Sequence, residues 1–200
     1  MPGSKLRTTR VAATKVATRA KGSTGAGRVR PRSAAALQAI PRPDHEAIRY
    51  FRKKGVGDFV TRIHVADPLQ LVATERDGVA SVFVKDLAGE LRIPAQRMFA
   101  ILGVPKATAE KKIASGELLA GSGGRAALGV ARLLGMAQAM VEESTATEAR
   151  GFDAARWLGK WLERPQPALG GRKPADLVDT PTGLAVVTRL LGAVASGAYQ

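Results

Sequence analysis

Proline and glycine divide the chain after residue 67 into short segments of helical length, and this punctuation constrains the fold more than any other feature. Pro68 and Gly78, Pro94 and Gly103, and Pro105 and Gly116 each bracket one such segment. Proline fits the first turn of a helix, where its missing N–H leaves no bond unmade, and glycine ends one by taking a left-handed φ. Between these marks Ala and Leu dominate, β-branched runs are scarce and the whole chain has only nine aromatic residues. That composition favours helix over strand. Val79, Phe83, Leu87 and Leu91, with Val82 alongside, recur every fourth residue and predict a helix with one apolar stripe. Met98, Phe99, Ile101 and Leu102 mark the next helix, and another runs from Pro105 to about Ser115. The glycine-rich stretch 121–124 reads as a flexible linker; with no strand before it and no Gly-Lys-Ser/Thr after it, neither nucleotide-binding fingerprint is met. A longer helix follows, carrying Val130, Leu133, Leu134, Ala137, Met140 and Val141 to about Glu143. The expected fold is all-α.

The net charge of +14 is unevenly placed. Residues 1–54 hold fourteen Lys and Arg against Asp44 and Glu46, a balance of +12, whereas residues 55–200 hold seventeen basic and fifteen acidic residues. Residues 1–32 consist mainly of Ala, Thr, Gly, Ser, Lys and Arg, with few large apolar side chains. Such a segment cannot bury enough apolar area to offset the entropy of ordering, so residues 1–54 are expected to be a disordered basic arm. The arm suits a polyanion such as DNA, an organellar transit peptide, or a solvated tail. Its composition does not choose among them.

The chain has no cysteine, and its two histidines, His45 and His64, stand far apart in sequence. Disulfide frameworks, thiol nucleophiles and Cys- or His-rich metal sites are thereby excluded. No Ser–His–acid order stands out, so no catalytic residue, metal or cofactor is expected. No apolar run approaches the roughly 18 residues of a membrane span.

The two short helices around the turn Leu102-Gly103-Val104-Pro105 have the spacing of a helix-turn-helix, whose second helix enters the major groove. On a wheel of residues 106–115, Thr108, Lys111, Lys112 and Ser115 share an arc of about 100°, while Ala109 and Ile113 fall on another side. The candidate DNA-contacting residues are Arg97, Lys106, Thr108, Lys111, Lys112 and Ser115. A helical bundle with a solvated polar face is the alternative. Val104 stands where a capping Ser or Thr is expected.

In a helix over 151–163, Phe152, Ala155, Leu158 and Leu162 fill one arc, and Asp153, Arg156, Lys160 and Glu163 the charged one. Trp157 and Trp161 project from a third, so this helix is expected to have two interfaces, unless both rings simply pack on the next helix. The following segment Arg164-Pro165-Gln166-Pro167-Ala168-Leu169-Gly170-Gly171-Arg172-Lys173-Pro174 reads as a restricted, preorganised loop. A short helix from Pro174 follows it. Thr180-Pro181 then starts a last helix with Leu184, Val187, Leu191 and Val194 on one face.

The words Arg156-Trp157-Leu158, Trp161-Leu162, Pro165-Gln166-Pro167-Ala168-Leu169-Gly170-Gly171-Arg172-Lys173-Pro174, Asp179-Thr180-Pro181, Leu190-Leu191-Gly192 and Gly197-Ala198-Tyr199 occur in order. Together they resemble the toxin-binding domain of Xre/MbcA/ParS-type antitoxins, partners of RES-domain toxins. Residues 67–143 resemble the helix-turn-helix region of these antitoxins more loosely. The resemblance implies a type II toxin–antitoxin protein of the bacterial cytoplasm, not an enzyme. Its implied partners are a RES toxin that consumes NAD, operator DNA and a second copy of itself in a homodimer. It would cover the toxin's active-site cleft and repress its own operon. The implied toxin-binding residues are Trp157, Trp161, Arg164, Gln166, Leu169, Gly170, Gly171, Arg172, Lys173 and Tyr199. Gln166 takes the place of the family's usual Asn. The expected organisation is the arm over 1–54, a DNA-binding and dimerisation domain over 55–145 and a toxin-binding domain over 146–200. A basic nucleoid-type DNA-binding protein without a toxin partner is the alternative reading.

Overall fold

A computed structural model describes residues 46–144 and 151–195. The arm up to residue 45 and Tyr199 lie outside the described residues. Residues 46–54, expected to belong to the arm, are part of the folded unit instead. The Ile48 N–H donates to Thr74 Oγ1 at 2.8 Å, and Tyr50 packs edge-on against Phe59, with ring centroids 5.6 Å apart. The Tyr50 hydroxyl donates to Asp86 Oδ2 at 2.8 Å. Burial first, and then that bond and the charge of Asp86, push the Tyr50 hydroxyl well above the usual tyrosine value.

Helix α1 (Gly55–His64) buries Val56, Phe59, Val60 and Ile63, an i, i+3, i+4, i+7 stripe. Helix α2 (Pro68–Asp77) begins at a capping box: Asp67 Oδ1 accepts from the Leu69 N–H at 2.8 Å, and Gln70 Oε1 accepts from the Asp67 N–H. Gly78 ends it, as its place in the sequence suggests. Val79, however, is not helical. It pairs with Leu119 in a two-residue antiparallel bridge, β1 (Val79–Ala80) with β2 (Leu118–Leu119), and α3 (Ser81–Glu90) starts two residues later. Gly78 lies so close to the Leu119 carbonyl that a side chain there would meet backbone at 2.6 Å.

Helices α4 (Ala95–Ile101) and α5 (Lys106–Ser115) flank the turn 102–105, the arrangement expected of a helix-turn-helix. Gly116 closes α5 at φ 68°. Val104 stands in place of a polar cap because its side chain is core: it is buried and presses against Gly123.

The glycine-rich stretch is neither linker nor phosphate cradle. It opens α6 (Gly121–Glu142), and Gly123 and Gly124 are buried there. A Cβ on Gly124 would overlap the Leu119 carbonyl oxygen, so the absent side chain lets α6 seat against the β bridge. Helix α6 buries a dozen residues and packs against α1, α2, α7 (Ala154–Leu162) and α8 (Pro181–Ala195). One hydrophobic core therefore joins Phe59, Leu87 and Met98 to Leu158, Val178 and Leu191, residues expected in two separate domains. Thr180 caps α8 through its Oγ1, which accepts from the Gly183 N–H at 3.1 Å. Among the described residues no single helix is long and apolar enough to cross a membrane.

Candidate functional site

Helix α7 organises the first surface. Asp153 caps it by accepting from the Arg156 N–H at 2.8 Å, which places Phe152 before the helix and outside its wheel. Phe152 is therefore not part of the core arc expected for it; it is 44% exposed, with its ring centroid 6.3 Å from that of Trp157. This is a hydrophobic staple between the residue before the cap and the fourth helical position, legible once Asp153 is taken as the cap. Trp157 and Trp161 stack with centroids 6.1 Å apart and planes 18° from parallel. Trp161, at 7% exposure, already belongs to this chain's own core, whereas Trp157 is half-buried. The aromatic surface open to a partner is thus Phe152 and Trp157.

The loop after α7 closes on itself. Gln166 N–H donates to the Arg172 carbonyl at 3.0 Å, and the Gln166 carbonyl accepts from the Leu169 and Gly171 N–H groups, also at 3.0 Å. Gly170 and Gly171, at φ 63° and 80°, supply the left-handed residues this closure needs. Gln166 is buried, and its Nε2 donates to the Arg164 carbonyl at 3.2 Å. The longer side chain thus finds a backbone partner within the loop. Leu169 is half-buried against the core, while Arg164 and Arg172 are exposed.

An ion-pair network anchors this loop to α4 and α7. Glu163 accepts from Arg97 Nε at 2.6 Å and from Lys173 Nζ at 3.1 Å, and Arg97 reaches Asp176 Oδ1 at 3.1 Å. Partial burial works to raise the Glu163 carboxyl. The hydrogen bonds from Arg97 and Lys173, and their charges, outweigh it and hold the group below the usual value. Hydrogen bonding to Glu163 is likewise the largest cause raising the Arg97 guanidinium, ahead of opposing desolvation. Arg97, expected among the DNA contacts, has its fork occupied inside the chain. No sequence signal pairs it with Glu163, 66 residues away.

On the second surface, the outer face of α5, Lys106, Thr108 and Lys111 are exposed, with Lys106 4.0 Å from Glu110. Lys112 and Ser115 are engaged at the helix end instead. Lys112 Nζ lies 3.0 Å from Glu117 Oε2 and 3.3 Å from the Leu118 carbonyl, and Ser115 Oγ donates to Glu117 Oε1 at 2.7 Å. The hydrogen bond from Ser115, and then the hydrogen bond and charge of Lys112, lower the Glu117 carboxyl. The expected four-residue polar face therefore offers a ligand chiefly Thr108 and Lys111, joined by Lys106. Among the described residues no cluster of His, Cys, Asp or Glu could hold a metal ion.

Residues 136–197 match the family described as the antitoxin Xre/MbcA/ParS C-terminal toxin-binding domain. A protein of Sphingobium sp. (strain YBL2) named Prs ADP-ribosylating antitoxin is 40% identical over 147 residues, 73% of this chain and 91% of that protein.

Proposed function

The chain belongs to the Xre/MbcA/ParS family of antitoxins, and on that premise we propose that it neutralises a RES-domain toxin by laying the loop 164–173 and the Trp157 side of α7 over the toxin's NAD-binding cleft. As an antitoxin it is a toxin-neutralising protein rather than an enzyme. The relative's name refers to ADP-ribosylation of Prs, a transfer that draws its ADP-ribose from NAD. A toxin of that kind must keep a cleft open to NAD, and occluding it is sufficient for inhibition.

The observation that carries this reading is the self-closed loop. It is held by its own backbone bonds, by buried Gln166 and by the Lys173–Glu163 pair, so little ordering entropy remains to oppose binding. It presents Arg164 and Arg172 as unburied cations, and α7 before it carries the Phe152–Trp157 staple. Trp161 and Lys173 act as its internal supports, and Tyr199 stays a proposed contact at the chain's end. The α4–α5 pair, with Lys106, Thr108 and Lys111 outward, supports a second activity: binding operator DNA as a homodimer and repressing the operon.

The test is co-purification of the full chain with the toxin encoded beside it, with affinity measured by calorimetry. Arg172→Ala is expected to weaken the complex at least tenfold while the melting temperature stays near wild type, and Trp157→Ala to weaken it as much with a lower melting temperature, because its ring also packs on Trp161 and Phe152. Unchanged affinity in both variants would overturn the assignment of this surface.

A further inference from the structure

A groove of about 780 Å³ lies between the α3–α4 turn and α7. Its walls include Leu91, Pro94 and Gly159, and Arg92, Arg156 and Lys160 stand exposed around it. We propose that this groove is a second phosphate-contacting surface, so that the DNA interface extends from the helix-turn-helix onto the charged face of α7. The proposal rests on the operator-binding reading given above and goes beyond it in assigning part of the contact to a helix of the toxin-binding region.

Three observations carry it. The first is charge. Within the groove, Glu163 is neutralised by Arg97 and Lys173, and Asp153 is the cap of α7, accepting from the Arg156 backbone. Arg92, Arg156 and Lys160 then give the groove a surplus of cations. The second is backbone conformation. Arg92 is, among the described residues, the non-glycine residue at positive φ, 56°, and it follows the end of α3, where the Ile93 N–H closes on the Ala88 carbonyl at 2.9 Å. Glycine is the residue favoured at such a helix end, so an arginine held there is kept at a conformational disadvantage. The third is position. Arg92 and Pro94 immediately precede α4, the first helix of the pair, and in a helix-turn-helix that first helix crosses the DNA backbone while the second enters the groove.

The outer face of α5 also needs such help. With Lys112 and Ser115 committed to Glu117, its cations left to set against phosphates are Lys106 and Lys111. The faces of α7 are distinct as well. At 100° per residue, the arc of Asp153, Arg156, Lys160 and Glu163 is centred about 100° from that of Trp157 and Trp161. The Trp side stays available to the toxin while the charged side lies on DNA.

The experiment measures full-length protein on fluorescent operator duplex and on a scrambled duplex across a salt series, with toxin affinity measured in parallel. Each phosphate contact adds about 0.9 to the salt slope, worth about eightfold in affinity at 0.1 M relative to 1 M salt. Arg156→Ala/Lys160→Ala is expected to lose roughly 60-fold on both duplexes, to flatten the slope by about 1.8 and to keep toxin affinity. Arg92→Gly is expected to flatten the slope by about 0.9 while raising the melting temperature, a pairing that mere structural damage would not give. Unchanged slopes in these variants, with Lys111→Ala still weakening operator binding, overturn the groove while leaving the operator reading intact. Loss of toxin affinity with DNA binding unchanged overturns it in favour of an acidic surface on the toxin. If wild-type protein binds neither duplex, the operator reading fails and the proposal fails with it.

Discussion

Replacing Gly159 by alanine sets two opposing effects of known size against each other at the point where α7 meets the rest of the molecule. Helix propensity alone favours the change, because glycine in a helix interior is about 1 kcal/mol less favourable than alanine. Packing opposes it. A Cβ at 159 would overlap the Leu91 carbonyl oxygen, would come within 3.0 Å of the carbonyl carbon, and would touch the Leu91 side chain at 3.4 Å. The obstacle is backbone at the end of α3 and cannot rotate aside, so α7 itself has to move. That helix carries Leu158 and Leu162, both fully buried, and Trp161. Overpacking of this kind costs about 1–3 kcal/mol, and a rigid backbone partner puts it at the upper end. The net effect is a loss of about 2 kcal/mol, or roughly 4–8 °C in melting temperature for a unit of this size. Gly57→Ala is the control: it lies in α1, is exposed and has nothing within 4 Å of a Cβ, so the propensity gain of about 1 kcal/mol should appear as a rise of about 2–4 °C. Thermal unfolding followed by circular dichroism at 222 nm reads both. If Gly159→Ala melts at or above wild type, the close approach of α7 to α3 is not what makes glycine necessary there, and the reasoning is refuted.

Glu163→Gln removes the anion that joins Arg97 to Lys173, and about 1 kcal/mol of stability should go with it once solvent screening at this partly exposed site is allowed for. Because the folded carboxyl sits below its ordinary value of 4.5, its contribution is full above that pH and is lost as pH falls through the folded value; the gap in melting temperature between wild type and variant should therefore close below about pH 4.5. Lys111→Ala should lower operator affinity with little change in stability, whereas Lys112→Ala should act mainly by loosening the end of α5, since its ammonium is bound to Glu117 and to the Leu118 carbonyl. Anisotropy titrations and melts on both variants separate these outcomes, and equal losses of affinity without any change in melting would contradict the engagement of Lys112 by Glu117. Thr180→Ala should cost about 1 kcal/mol through loss of the α8 cap, and Thr180→Ser should restore it.

Features that depend on neighbours a few residues apart are legible in the sequence alone. Caps, left-handed helix ends and apolar periodicity are set within one or two turns. Hence the bounds of α2 at Pro68 and Gly78, the end of α5 at Gly116 and the start of α8 at Thr180-Pro181 could be read directly. The stripe Val56, Phe59, Val60, Ile63 was equally legible, although helices were expected only from Asp67 onward. The ordered words of the last fifty residues likewise carried the family, because loop closure by Gln166, Gly170 and Gly171 is a local matter of φ and backbone bonds.

What each surface is free to do depends on packing between residues far apart in the chain. Val79 leaves its helical stripe because Leu119, forty residues on, offers it a ladder partner. Gly123 and Gly124 open a buried helix because Val104 and Leu119 occupy the space side chains would need. Arg97, Lys112 and Trp161 look available in the sequence and are withdrawn, two into ion pairs and one into the core. Phe152, Arg92 and Arg156 are left exposed in their place. Periodicity assigns a residue to a face of its own helix, but which faces meet is fixed by where glycine lets two backbones approach, and that depends on residues far away in the chain.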